Sequence, residues 1–182
     1  DLAVIYLGRI AAEKNLELAV RTFRSLQRTR PQARFIWVGD GPAREKLARE
    51  HPDFLFCGVQ RGAEVARHFA SADLFLFPSH SETFGNTTLE AMASGIPAVA
   101  FNYGAAREHL RNGVDGAAVD NDDAFIAAAV ELANNDSLRR EMGRLAAISM
   151  QRLHPEQVAI DFESVLARIA RGRKNDETAA AA

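Results

Sequence analysis

Two cations and two carboxylates stand out by where they fall. Arg9 and Lys14, five residues apart, follow an apolar run near the start of the chain. Glu82 and Glu90 bracket a loop that contains Gly85 and opens into a helix-period segment, Thr88 to Ser94. A helix N-terminus leaves backbone N–H groups unpaired and carries partial positive charge, so the stretch from Glu82 to Thr87 favours an anion. Gly85 lets the main chain come close to that anion. Arginine offers a planar fork and lysine a compact charge, and together they can neutralise a diphosphate without a metal ion. A carboxylate repels phosphate but accepts well from a pair of hydroxyl groups. The set describes a site for a ligand that joins phosphates to hydroxyls.

Other assignments are weaker. Thr87 and Glu90 have the spacing of a capping box, but the company of Arg9, Lys14 and Glu82 favours a binding role. Gly39, Asp40, Gly41 and Pro42 read as a structural turn, not a phosphate loop. Asp120, Asn121, Asp122 and Asp123 precede a helix where acidic caps are favoured, and no glycine or distal glutamate completes a calcium loop, so no metal site is assigned. His51, His68, His80, His109 and His154 lack paired zinc spacing. Only His80 lies near the site, where it suits a hydrogen bond better than proton transfer.

These residues need elements to hold them, and the chain supplies an alternation of short apolar runs and helix-period segments, the signature of a parallel sheet covered on both faces. The strand candidates are Ala3 to Leu7, Arg34 to Val38, Phe54 to Cys57, Asp73 to Phe77, Pro97 to Phe101 and Gly116 to Val119. Leu16, Ala19, Val20, Phe23 and Leu26 recur at helical spacing, as do Leu47 and its neighbours, Val65 to Phe69, and Leu89 to Ala93. Asn15 and Asp136 suit helix N-caps, and Pro155 suits a first turn. After Val119 the spans 123–134, 136–152 and 155–170 all read as helices. The fold class is α/β: a doubly wound, mainly parallel six-stranded sheet, Rossmann-like, with C-terminal helices. Residues 1–171 read as one domain and 172–182 as a disordered tail. In such a sheet ligands bind beyond the carboxyl ends of the strands, where Arg9, Lys14 and Glu82 all fall.

The chain has 182 residues, 47% of them hydrophobic and 25% charged, which fits a globular domain with a substantial core. Its net charge of −2 gives no global attraction to nucleic acid. Arg21, Arg24, Arg28 and Arg30 line one predicted helix, a pattern that suits a solvated face better than lipid head groups, so membrane contact is limited to the periphery. A lone cysteine, Cys57, fits a reducing compartment and a small buried role. With no apolar run long enough to span a bilayer, the chain reads as cytoplasmic or peripheral at the inner membrane surface, with Asp1 as a cut point within a longer protein.

The quoted residues resemble retaining glycosyltransferases of family four, which have the GT-B fold. The matching stretches are GRIAAEKN (Gly8 to Asn15), VGDGP (Val38 to Pro42), FCGV (Phe56 to Val59), ADLFLFPS (Ala72 to Ser79) and SETFGNTTLEAMASGIPAVA (Ser81 to Ala100). The last holds Glu82 and Glu90, separated by seven residues, the pair that marks the family. The resemblance covers about the first 120 residues and implies one half of a GT-B enzyme, the half that binds a UDP- or GDP-sugar without a metal cofactor. It implies that Arg9 and Lys14, with Gly8 beside them, bind the diphosphate, and that Glu82 holds donor-sugar hydroxyls near the reacting carbon. Glu90 would accept the ribose hydroxyls. Thr83, Phe84, Gly85, Asn86 and Thr87 would meet sugar and phosphate, and Gly58 and Val59 would border the base. Arg9, Lys14 and Glu82 are thus the implied catalytic residues.

The resemblance also implies a preceding acceptor-binding domain, absent from this chain, without which the fragment is inactive. The helix around Pro155 to Ala170 resembles the one that crosses back toward that domain. Two other readings stay open: a non-catalytic module that binds sugar nucleotides, and one half of a GT-B epimerase or phosphorylase. The base, the sugar and the acceptor are open too.

Overall fold

A computed structural model describes the backbone of residues 1–180 and the side chains of residues 1–169. The chain divides into two units, Asp1–Ser149 and Met150–Ala182. That division falls inside the span 1–171 assigned above to one domain. In the first unit, strands β1 (Ala3–Leu7), β2 (Arg34–Val38), β3 (Leu55–Gly58), β4 (Leu74–Phe77), β5 (Ala98–Phe101) and β6 (Gly116–Val119) form one sheet in the order β3-β2-β1-β4-β5-β6. Every pairing is parallel. The order reverses at β1, which lies between β2 and β4. A crevice opens where two neighbouring strands send their connections to opposite faces, so the end of β1 is the expected ligand position.

Helices α1 (Leu16–Gln27), α2 (Arg44–Glu50), α3 (Ala63–Ala70), α4 (Asn86–Ala93), α5 (Gly104–His109), α6 (Asp122–Asn134) and α7 (Asp136–Met150) follow the strands. β4 and β5 are buried at every residue, as runs covered on both faces must be. On one face, Val4, Tyr6, Phe35, Trp37, Leu74 and Val99 join Leu18, Phe23 and Leu26 of α1 and Phe125 and Leu132 of α6 in a single core. Its aromatic centre is tight: Phe23 stacks on Phe35 at 4.8 Å, and Tyr6 lies 4.6 Å from Trp37. On the other face Phe69 of α3 meets Phe75 of β4 edge-on at 5.4 Å.

Several boundaries and caps differ from the sequence expectation. β3 begins at Leu55, one residue late, because Phe54 turns into the aromatic core. α5 was not anticipated; six residues are too few to show a helical period. Asn15 takes the N-cap position of α1 in a left-handed conformation without a side-chain cap. The cap of α7 is Asn135, whose Oδ1 accepts from Leu138 N at 3.0 Å, while Asp136 instead pairs with Arg139 at 2.9 Å and with Arg30. Within the arginine stripe of α1, Arg21 pairs with Asp122 at 2.5 Å and Arg24 with Asp53 at 2.6 Å. Those charges are taken up by neighbouring acids within the unit.

In the second unit, a short 3-10 turn (Gln151–Leu153) leads into α8 (Pro155–Ala180). Val158, Ile160, Phe162, Leu166 and Ile169 of α8 are exposed. The tail reading of 172–182 falls on residues whose side chains lie outside the described ones. No helix among the described residues is long and apolar enough to cross a membrane.

Candidate functional site

The loops after β1 and β2 are packed backbone on backbone. Gly8 N donates to Val38 O at 3.0 Å and Ile10 N to Asp40 O at 2.9 Å. Gly39 has φ +134°, and a Cβ on it would lie 1.9 Å from Gly8 O. Only glycine fits, which gives the Gly39–Pro42 turn a structural reason. The chain then makes a 3-10 turn, Ala12–Lys14, which carries Lys14 toward the loop after β4.

There the pieces meet. Lys14 Nζ donates to Glu82 Oε1 at 2.6 Å and to Ser81 O at 2.9 Å, and Ser81 Oγ donates to Glu13 O at 3.0 Å. The Lys14 and Glu82 side chains are largely shielded, at 16% and 19% exposure. Arg9 is more open and forms an ion pair with Glu13, which holds the Glu13 carboxyl below the usual carboxylate range. Beneath them Tyr6 donates its hydroxyl to Arg9 O at 2.8 Å. Burial, reinforced by the nearby charges of Glu82 and Glu13, pushes the Tyr6 phenol well above its ordinary pKa, so it stays a donor.

The far side of the Glu82 loop rests on the start of α5. Tyr103 Oη donates to Glu82 O at 3.1 Å, and Ala105 N donates to Phe84 O at 2.7 Å. α4 begins at Asn86, two residues earlier than the sequence suggests, with Gly85 at the N-cap position in a left-handed conformation. Thr87 lies inside the helix, so the Thr87–Glu90 capping box does not form. Thr83 stands exposed on the loop and Asn86 exposed at the first position of α4, and Phe84 is half-buried with its ring 5.9 Å from that of His109. His80 stacks on Phe101 at 3.6 Å, a packing role in place of the hydrogen bond expected of it.

Three hollows surround the end of β1. One, of about 390 Å³, is lined by Tyr6, Gly8, Arg9, Glu13, Lys14, Phe77, Ser81, Glu82 and Thr87. A second, of about 260 Å³, shares Gly8 and Arg9 and extends over Gly39, Asp40, Val59 and Gln60. The third, of about 410 Å³, contains Leu7, Val65, Phe69 and Glu90. Val59 is thus in the trough, next to Gly58 at the end of β3. Glu90 is held apart from Glu82, in its own hollow. One side of Glu90 is open to solvent, yet burial of the other side raises its carboxyl pKa. Cys57 lies in β3, half-buried, and burial pushes its thiol pKa up. Asn121 of the acidic run caps α6, accepting from Ala124 N at 2.9 Å. Among the described residues no group of three or more His, Cys, Asp or Glu could hold a metal ion.

Tyr6, Glu13, Ser81 and Tyr103 complete this constellation and were not singled out from the sequence. Glu13 and Ser81 sit inside quoted stretches, so their position was available. Tyr103 follows β5 as Arg9 follows β1, and its place at a strand's carboxyl end was the signal.

A parallel doubly wound sheet with cations, a carboxylate and a helix N-terminus gathered at its switch point belongs to the nucleotide-handling α/β class. Residues 1–135 match the family described as glycosyl transferases group 1, and the chain belongs to it. It is 36% identical over 140 residues to a GDP-mannose-dependent alpha-mannosyltransferase of Corynebacterium glutamicum, which covers 75% of this chain and 32% of that protein. It is 43% identical over 103 residues to sulfoquinovosyl transferase SQD2 of Arabidopsis thaliana, covering 56% and 19%. Among solved structures, a sucrose-phosphate synthase from Thermosynechococcus elongatus superposes with a TM-score of 0.80 at 22% identity, covering 94% of this chain and 46% of that one. S. aureus TarM superposes with a TM-score of 0.78 at 21% identity, covering 89% and 34%. The chain spans less than half the length of each of these relatives.

Proposed function

We propose that this chain is the donor-binding half of a retaining glycosyltransferase that moves a hexosyl group from a UDP- or GDP-sugar to an acceptor hydroxyl. The observation that carries the reading is the meeting of Lys14 with Glu82 at 2.6 Å on the wall of a hollow that Arg9 shares. Cationic groups suited to phosphate and a carboxylate suited to sugar hydroxyls thus stand side by side, which supports the reading. Arg9, Lys14 and the N-terminal turn of α4 take the diphosphate, and Glu82 takes the hydroxyls of the sugar. Glu90 accepts from the ribose, and the hollow bordered by Gly8 and Val59 takes the base.

In the reaction the bond between the anomeric carbon and the diphosphate oxygen breaks, and its electron pair leaves with the phosphate. The acceptor oxygen bonds to the same face of that carbon, and its proton passes to the departing phosphate oxygen. Arg9 and Lys14 stabilise the charge that builds on the leaving group. Preorganised electrostatic stabilisation of this kind is commonly the largest catalytic contribution, about 100-fold in rate for one donor. The acceptor is held by a preceding domain, and the whole protein works in the cytoplasm or at the inner face of a membrane. The GDP-mannose-dependent relative supports a sugar-nucleotide donor, and the TarM structure, a complex with UDP, leaves the choice of base open.

Calorimetry with UDP, GDP and ADP tests this reading. One of them binds the chain, and Arg9→Ala or Glu90→Ala weakens it at least tenfold with the melting temperature retained. Failure of all three nucleotides, and of their hexose derivatives, to bind at millimolar concentration rejects the site.

A further inference from the structure

The loop that carries Glu82 has no regular structure of its own between Ser79 and Asn86. Its position therefore depends on what grips it. Lys14 and Ser81 tie it to the 3-10 turn after β1. The opposite grip comes from residues 103–105. Tyr103 reaches across with its hydroxyl to the Glu82 carbonyl, and Ala105 N takes the Phe84 carbonyl. Gly104 makes this approach possible: its φ is +53°, and a Cβ there would stand 2.3 Å from Phe84 O. A side chain at this position would drive α5 and the loop apart.

We propose that Tyr103 is a positioning residue for the donor sugar: by fixing the Glu82 carbonyl it sets where the Glu82 carboxylate meets the sugar hydroxyls. This rests on the donor-binding reading above and deepens it. Two neighbours hold Glu82, Lys14 through the carboxylate and Tyr103 through the backbone. Its chain neighbours are tied as well, Ser81 to Lys14 and Glu13 and Phe84 to Ala105, and Tyr103 adds the hold on the Glu82 carbonyl itself. Tyr103 itself is 51% exposed, so its hydroxyl contributes little to the core and the phenylalanine variant folds. The diphosphate, gripped by Arg9, Lys14 and the start of α4, does not depend on this hydrogen bond. The sugar does.

The test compares each nucleoside diphosphate with its sugar derivative, UDP against UDP-glucose and GDP against GDP-mannose, by calorimetry on this chain and on Tyr103→Phe. In the unsubstituted chain the sugar derivative binds more tightly than the diphosphate alone. In Tyr103→Phe the affinity for the diphosphate stays within twofold, while that for the sugar derivative falls about fivefold, the worth of one hydrogen bond. Equal losses for both ligands, or no loss in Tyr103→Phe, overturn the proposal and leave the donor reading intact. So does an unsubstituted chain that gains nothing from the sugar. An unsubstituted chain that binds none of the four ligands rejects the donor reading and this inference together.

Discussion

Glu90 shows how a residue's surroundings set what it can bind. Its carboxyl is raised in pKa by burial against the wall of its hollow. The ionised form accepts from two hydroxyls, and the protonated form does so poorly. On the proposed donor-binding reading, affinity for a sugar nucleotide is therefore full well above the raised pKa and declines as the pH falls through it, at a pH above the roughly 4.3 of a free glutamate. Glu90→Gln removes that slope. The measurement needs a sugar nucleotide, because the terminal phosphate of a free nucleoside diphosphate itself titrates near about pH 6, as phosphomonoesters do. A slope unchanged in Glu90→Gln assigns the titration to another group. Arg9, Lys14 and Glu82 drew notice because ionisable residues in the loops that follow strands have few structural reasons to be there, and Glu90, inside α4, through its spacing from Glu82. The place of Tyr103 past β5 was legible, but the contacts that Tyr103 and Tyr6 make were not. Each acts through a phenol aimed at a backbone carbonyl, and such aim depends on loops brought together by the sheet.

At the scale of elements, the strands were legible for a physical reason. β4 and β5 are covered on both faces, so LFLF and AVAF read as unbroken apolar runs. α5 was invisible because it is a single and a half turns of small and charged residues. The turns were legible in kind, but what demands them was not. Gly39 belongs to a recognisable turn, whereas its clearance from Gly8 O follows only from the pairing of β1 with β2. Gly39→Ala puts a methyl into that carbonyl and strains a left-handed backbone, at a cost of at least about 2 kcal/mol. Urea unfolding reads this as a lower midpoint at constant m-value. Because the Gly8–Arg9 segment must shift to make room, nucleotide affinity falls at temperatures where the variant is still folded. An alanine variant with the original midpoint and affinity contradicts the packing described here.

At the scale of the whole molecule, α8 carries a surface unlike the rest. Val158, Ile160, Phe162, Leu166 and Ile169 are exposed on it. Four of them, Val158, Phe162, Leu166 and Ile169, fall on one side of the helix by their spacing, and apolar groups so gathered on a solvated surface favour association. Sedimentation of the 182-residue chain accordingly shows self-association that grows with concentration. Replacing Phe162 and Ile169 together by serine reduces it without lowering the melting temperature. A chain that stays monomeric at all concentrations contradicts this.

Lys14 and Glu82, the contact at the centre of the trough, are 68 residues apart in the chain, and β1 lies between partners drawn from both directions of the sheet order. During synthesis the ribosome delivers the cationic half of the site long before the acidic half. The early segment already pairs Arg9 with Glu13, whereas Lys14 gains Glu82 only once β4 has paired with β1. On the proposed donor-binding reading, a nascent chain that ends before Glu82 lacks the carboxylate side of the site, and capture of a sugar nucleotide reports that β1 and β4 have paired.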